Sequence, residues 1–276
     1  MNRRTITLTT DFGTDDHYVG TMKGVVLKIN PEVNIVDLCH AVTSFDLLDG
    51  ALTVASAYSY FPDETIHVVV VDPGVGSERR AIVALAGKHI FVAPDNGVLT
   101  LVYRRESSVT VRHITNDRYF LHPVSNTFHG RDIFAPVAAH LSSGVPVEAV
   151  GREITDYARI DVPQPQVVGG FASGAGAPIV QGIVLKTDKF GNVVTNIGPD
   201  DLVATIGPGA PFRLSIGDEE IAKVSPTYAA APQDELFAVF GSMGLLEVAL
   251  NQGSAAERLR ARRGDPVRII AVAPKN

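Results

Sequence analysis

Residues 67–71 read His-Val-Val-Val-Val, a β-branched run that stops at Asp72-Pro73-Gly74-Val75-Gly76. A strand with one wet face alternates polar and apolar side chains. A run without alternation has to be covered on both faces, as the central strands of a parallel sheet are. The residues upstream supply the covering layers. Residues 5–10 alternate like a strand, and Asp15 or Asp16 then precedes Val19, Met22, Val25, Val26 and Ile29, which recur at helical spacing. The unit repeats with a strand at 34–38, Ser44 as the expected N-cap, and Leu47, Leu48, Ala51, Leu52 and Ala55 on one helix face. Further strands are expected at 81–86, 89–93 and 109–114, and a helix over 132–141. The expected fold class is therefore α/β, with a largely parallel central sheet flanked by helices in an N-terminal domain of residues 1–162.

From about residue 161 the composition shifts to Pro, Gly, Ala and Ser, which predicts a linker over 163–178. Beyond it, short apolar runs at 179–186, 212–216, 236–240, 246–250 and 267–273 alternate with turn residues. This pattern predicts a smaller, all-β, barrel-like C-terminal domain over 179–276.

A net charge of -6 leaves no basic surface to follow a phosphate backbone, so a nucleic-acid partner is not expected. No segment is long and apolar enough to span a bilayer, and no apolar signal core follows Met1-Asn2-Arg3-Arg4. A cytoplasmic protein acting on a small molecule is expected. The single Cys39, flanked by apolar residues, excludes intramolecular disulfides and cysteine-rich metal sites and reads as a packing thiol.

Ligands of open α/β sheets gather beyond the carboxyl ends of the strands. Three carboxylates stand at such ends: Asp11 in Thr10-Asp11-Phe12-Gly13, Asp72, and Asp95 in Pro94-Asp95-Asn96-Gly97. Each alone could build an Asx turn or cap a helix. The glycines after Asp72 do not complete a phosphate-loop fingerprint; a tight turn that swings Arg79 back towards Asp72 is expected, with Arg80 a solvated surface charge. Phe128-His129-Gly130-Arg131-Asp132 sets an imidazole and two opposite charges before a helix that Asp132 could cap. His40, His67, His89, His113, His122 and His140 have no comparable context and read as structural, in surface or core roles. In the C-terminal part, Asp188-Lys189-Phe190-Gly191-Asn192 offers a carboxylate for ribose hydroxyls, a ring for stacking and an amide for an adenine edge, though a plain turn has the same composition. Gly241-Ser242-Met243-Gly244 is equally a glycine turn or a set of hydrogen-bond donors.

Taken in order across the chain, Asp11-Phe12-Gly13-Thr14-Asp15-Asp16, Asp72-Pro73-Gly74-Val75-Gly76-Ser77, Pro94-Asp95-Asn96-Gly97, Phe128-His129-Gly130-Arg131-Asp132, Asp188-Lys189-Phe190-Gly191-Asn192 and Gly241-Ser242-Met243-Gly244 resemble the S-adenosyl-L-methionine (SAM) hydroxide adenosyltransferases, relatives of the SAM-dependent fluorinases and chlorinases. The resemblance implies hydrolysis of SAM to adenosine and L-methionine, and a homotrimer with active sites at subunit interfaces. It implies no cofactor and no metal. By the same resemblance Asp72, Arg79 and His129 surround the attacking water and set the chain in the hydrolytic branch. Asp11 would hold the ribose hydroxyls, Asp16 the methionine ammonium, and Phe45, Phe128 and Phe190 the apolar walls beside Gly130. Asn192 would read adenine and Ser242 meet the methionine carboxylate. Met243 stands where halogenases have arginine, which leaves open how that carboxylate is neutralised.

The residue types suit the chemistry. Displacement at the ribose 5′ carbon releases a neutral thioether, so the demanding step is activating water, whose pKa in bulk is about 15.7. Arg79 supplies permanent charge, His129 is the expected general base, and Asp72 would fix their geometry. Rival readings are a halogenase, a metal-dependent phosphoesterase using Asp11, Asp72, Asp95, Asn96 and His129, and a non-catalytic sensor of SAM or adenosine.

Overall fold

A computed structural model describes residues 4–169 and 178–272, and the chain divides into two compact units, Met1–Asp161 and Val162–Asn276. The first contains β1 (Thr5–Thr10), α1 (Tyr18–Ile29), β2 (Asn34–Cys39), α2 (Leu47–Ala57), β3 (Ile66–Val70), β4 (Ala81–Ala86), β5 (His89–Pro94), α3 (Thr100–Arg105), β6 (Val109–Ile114), α4 (Ala135–Ser142) and β7 (Gly151–Ile154). Its seven strands lie in the order β2-β1-β3-β5-β4-β6-β7. β2, β1, β3 and β5 run parallel, whereas β4, β6 and β7 pair antiparallel. The change of direction has a local cause. β4 and β5 are joined by Gly87-Lys88 alone, with Gly87 at φ 57, and so short a link can only make a hairpin.

β3 is buried at every residue. Ile66, Val68 and Val70 pack with Met22 and Val26 of α1 and Leu141 of α4. Val69 and Val71 face the other way, towards Val54 of α2 and Val102 of α3. The unbroken apolar run is thus explained by two helical layers, each removing one face from water. Two helix starts differ from expectation. α2 is capped by Asp46, whose side chain accepts from the Leu48 and Asp49 amides, and not by Ser44. α1 begins after His17 with no side-chain cap, so neither Asp15 nor Asp16 serves it.

The second unit comprises β8 (Gln166–Val168), β9 (Ile179–Thr187), β10 (Val193–Thr195), α5 (Pro199–Ile206), β11 (Phe212–Ile216), β12 (Glu219–Ile221), β13 (Leu236–Phe240), β14 (Leu246–Leu250), α6 (Ala255–Leu259) and β15 (Pro266–Ala271). Its strands run β12-β11-β15-β9-β10-β14-β13, with β8 on β9. Just after β12, the Lys223 carbonyl accepts from Ala238 at 2.8 Å and the Ser225 amide donates to Ala238 at 2.9 Å, which brings the two ends of the sheet together into a nearly closed barrel. Val180, Val184, Leu214, Leu246, Val248 and Ile269 fill it. The stretch read as a linker includes the strand β8; its residues 170–177 lie outside the described residues. The short helices α5 and α6 add to the all-β expectation. α5 starts at Gly198-Pro199, where the Asp201 carboxylate accepts from the Gly198 amide at 2.7 Å.

Candidate active site

Asp72 follows β3, and the chain reverses at once. The Val75 amide donates to the Asp72 carbonyl and Ser77 closes on Gly74 through both its amide and its hydroxyl. Gly76 has φ 78, and a Cβ there would lie 2.3 Å from the Asn126 carbonyl oxygen, so this turn fits against the 125–129 segment only with glycine. The reversal returns Arg79 to Asp72 as expected. Arg79 Nε donates to both Asp72 oxygens at 3.0 Å, and Nη2 also reaches Oδ2. The side chains of Arg79 and Asp72 are only 10% and 4% exposed.

His129 comes to the same guanidinium from the start of the helical segment that leads into α4. Residues Gly130–Phe134 form a π-turn that runs into α4, with the Ala135 amide donating to Gly130. Gly130 is buried, and a Cβ on it would meet Met22 Sδ and Phe128 Cε2 at 3.1 Å. Arg79 Nη2 lies 2.7 Å from His129 Nδ1. Arginine only donates, so Nδ1 accepts, which makes the imidazole neutral with its proton on Nε2. The electrostatics agree: burial and then the Arg79 charge lower the His129 pKa, against opposing pulls from Asp72, Asp132 and a backbone bond with Ser125. This arrangement bears on the general-base role expected of His129. While Arg79 occupies Nδ1, His129 has no lone pair to receive a proton, and its effect is to orient the guanidinium. Among the described residues no acceptor bonds Arg79 Nη1.

A pH dependence follows. Protonation would put an N–H on Nδ1 against the arginine N–H and break the arrangement. Because the folded pKa is lowered, activity is lost as pH falls through a value below the ordinary 6.5, and is retained above it. A profile of kcat/KM against pH checks this; a His129-dependent limb at or above 6.5, absent in His129→Asn, would contradict it.

Other expected residues fall in different places. Asp11 Oδ2 accepts from the Phe45 amide at 2.8 Å. Phe45 is held at φ 65 and is 71% exposed, a strained backbone presenting a free aromatic ring. Asp16 is exposed and makes no hydrogen bond or ion pair among the described residues. Phe128, expected as a wall, is a core residue, packed edge-on against Phe12 and Tyr18 with the Arg131 guanidinium over its ring. Asp132 does not cap the helix; it accepts from the Ser125 amide and pairs with Arg131, fixing the segment that carries His129. Arg80 is not a free surface charge: it joins Asp95 and Asp156, and Asp95 also accepts from the Ala158 amide. Asn96 is likewise engaged, with the Val71 carbonyl and the Val98 amide. Among the described residues no group of three or more His, Cys, Asp or Glu side chains is placed to hold a metal ion.

In the second unit a cavity of about 820 Å³ gathers Asp188, Phe190, Asn192, Ser242 and Met243. Its volume suits a nucleoside-sized ligand. Asp188, expected to face ribose hydroxyls, is largely engaged within its own turn. Its Oδ1 accepts from the Phe190 and Asn192 amides and its Oδ2 from Asn192 Nδ2 at 2.8 Å. That bond leaves the Asn192 amide oxygen as the remaining acceptor, the polarity that matches an amino group on a purine. Phe190 is 68% exposed. Among the lining residues that escaped the sequence reading are Tyr228 and Glu247. A lone charge inside the apolar run Leu245-Leu246-Glu247-Val248-Ala249-Leu250 was a signal for the second; nothing around Tyr228 marked it.

A guanidinium clamped between a carboxylate and a neutral imidazole beyond a parallel strand, in a chain that also carries a nucleoside-sized cavity on a barrel, defines a small-molecule enzyme. The chain belongs to the SAM hydroxide adenosyltransferase family: residues 6–151 match the family's N-terminal domain and residues 182–268 its C-terminal domain. It is 36% identical to a Thermus thermophilus protein named (R)-S-adenosyl-L-methionine hydrolase, over 97% of this chain and 100% of that one. A Nocardia brasiliensis fluorinase is 28% identical over 97% of each chain. A crystal structure of a conserved protein from Thermotoga maritima superposes with a TM-score of 0.87 at 38% identity, covering 96% of this chain and 99% of that one. No helix of the described residues is long and apolar enough to cross a membrane.

Proposed function

We propose that this protein hydrolyses SAM, including the (R)-sulfonium form for which its relatives are named, to adenosine and L-methionine. The observation that carries the reading is the Arg79 guanidinium, bound to both Asp72 oxygens and donating to His129 Nδ1, in a chain similar from end to end to hydrolases of that name. The nucleophile is water bound at Arg79 Nη1. Its oxygen bonds to the ribose 5′ carbon, the carbon–sulfur electron pair stays on sulfur as the neutral thioether of methionine, and the proton passes to solvent. A fixed cation beside the water stabilises the hydroxide character that develops as the bond forms, an effect worth about 2.7–4 kcal/mol per preorganised donor. Asp72 and His129 hold that cation in one orientation, so it need not reorganise during the step.

Asp11 and Asp16 bind the ribose hydroxyls and the ammonium, Phe45 and Phe190 supply apolar walls, and Ser242 meets the carboxylate. Asn192, its amide turned by Asp188, accepts from the 6-amino group of adenine. The donors that a metal would need are committed to protein partners at Asp72, Asp95 and Asn96, which favours a reaction without metal or cofactor. The reading includes a homotrimer with active sites at subunit interfaces, acting in the cytoplasm, where a lone thiol such as Cys39 stays reduced.

The test is incubation with SAM in ¹⁸O-labelled water without halide. Adenosine carrying the label at its 5′-hydroxyl is expected. Absence of adenosine, a requirement for halide, or adenosine without label would overturn the reading.

A further inference from the structure

The cavity of the second unit holds a carboxylate that the proposed reaction has not used. Glu247 lies on β14 opposite Val194 of β10 and Val239 of β13, and is 4% exposed. Tyr228 Oη donates to its Oε2 at 2.7 Å. Among the described residues nothing donates to Oε1, and the side chain lines the cavity. Oε1 is left open to the cavity, where a ligand can donate to it. Burial pushes its carboxyl up, the Tyr228 hydroxyl draws it down, and Asp188 pushes it up again, so that a cation brought beside it would relieve the strain.

Its setting is specific. A Cβ on Gly241 would lie 1.8 Å from Glu247 Oε1 and 2.3 Å from Cδ, so only glycine lets the carboxylate sit against the turn that carries Ser242 and Met243. Met243 contributes no charge there. Asn192, which also lines the cavity, lies two positions from Val194 along the chain, and its amide oxygen is left as an acceptor by the bond of its Nδ2 to Asp188.

We propose that Glu247 determines specificity at this site by accepting, at Oε1, a second hydrogen bond from the α-ammonium of the substrate's amino-acid end, in addition to the one assigned to Asp16. The proposal rests on the reading of the cavity as a SAM site. Contact with Gly241, next to Ser242, places the free oxygen at the end where the amino acid is held, while the Asn192 oxygen serves the purine. The competing role is structural, with Glu247 only anchoring Tyr228.

Glu247→Gln separates the two, because glutamine keeps the size and an acceptor for Tyr228 Oη but removes the charge. The substrates are SAM, its analogue with hydrogen in place of the α-ammonium, and its 6-oxopurine analogue. On SAM the variant loses about tenfold in kcat/KM, through KM, as for one charge-assisted hydrogen bond, with kcat and melting temperature near wild type. On the deaminated analogue the two proteins are equal. A loss that persists on the deaminated analogue, or that vanishes on the 6-oxopurine analogue instead, overturns the proposal. A fall in kcat together with melting temperature assigns Glu247 to the structural role and overturns it too. Failure of the wild-type protein to form adenosine from SAM would instead reject the underlying reading of the cavity, and the proposal with it.

Discussion

Arg79→Lys lowers kcat by about 10²–10³-fold while KM for SAM changes only a few-fold. Lysine keeps the charge, so the loss isolates the geometry. The guanidinium engages both Asp72 oxygens and His129 Nδ1 at once through Nε and Nη2, leaving Nη1 for water. An ammonium is a single point with three donors and cannot span those partners while also meeting a nucleophile. Arg79→Ala goes further, because it strips a buried carboxylate of its counter-charge; breaking such a pair costs about 3–5 kcal/mol of stability. Lysine is therefore the cleaner probe, with the melting temperature recorded beside steady-state rates. Retention of kcat within tenfold in a folded Arg79→Lys protein would remove the forked geometry from the mechanism.

The second large effect falls on a residue without chemistry. Gly76→Ala is expected to reduce kcat by about 10²-fold, the usual penalty for displacing reacting groups by an ångström. It should also lower stability by about 1–3 kcal/mol, the cost of a side chain in the left-handed region. The added methyl would collide with the Asn126 carbonyl at 2.3 Å, and that contact lies between the turn leading to Arg79 and the segment leading to His129. Gly74→Ala is the control within the same turn. Its Cβ would approach Ser77 Oγ at 3.3 Å and Arg79 Cγ at 3.4 Å, neighbours that can give way, so it should stay within a few-fold of wild type. Rates and urea midpoints of both variants decide the matter. Equal behaviour of the two would mean that the contact with Asn126 does not set the position of the arginine.

Much of this arrangement was legible along the chain, and what was not has local causes. The run 67–71 announced a doubly covered strand, and a carboxylate, a glycine turn and an arginine spaced as Asp72, Gly76 and Arg79 announced their own meeting. Caps were harder. Ser44 and Asp46 are both good N-caps by type, and the choice fell to Asp46 because the backbone there is extended, after Phe45 has taken φ 65. Such a conformation is costly for an aromatic residue and is not foreseeable from pattern. Asp188 and Phe128 show the same limit. Each was read by what its side chain can offer a ligand, yet one carboxylate is largely engaged by its own turn and one ring by packing on Phe12 and Tyr18. Whether a polar atom is free depends on competition among neighbours in three dimensions. The same competition meets His129, whose Nδ1 is engaged by Arg79.

The wide turn at Gly130–Phe134 sets the rotational phase between His129 and the helix behind it. Deleting one residue from that turn would let ordinary helix run through, and each residue of helix carries its side chain about 100° around the axis. The imidazole would then point away from the guanidinium although α4 itself had become more regular. Chain length across this short interval is thus as much a requirement for the arrangement as the identity of the residues that touch, and homologous proteins are best aligned by conserving the interval before matching the histidine.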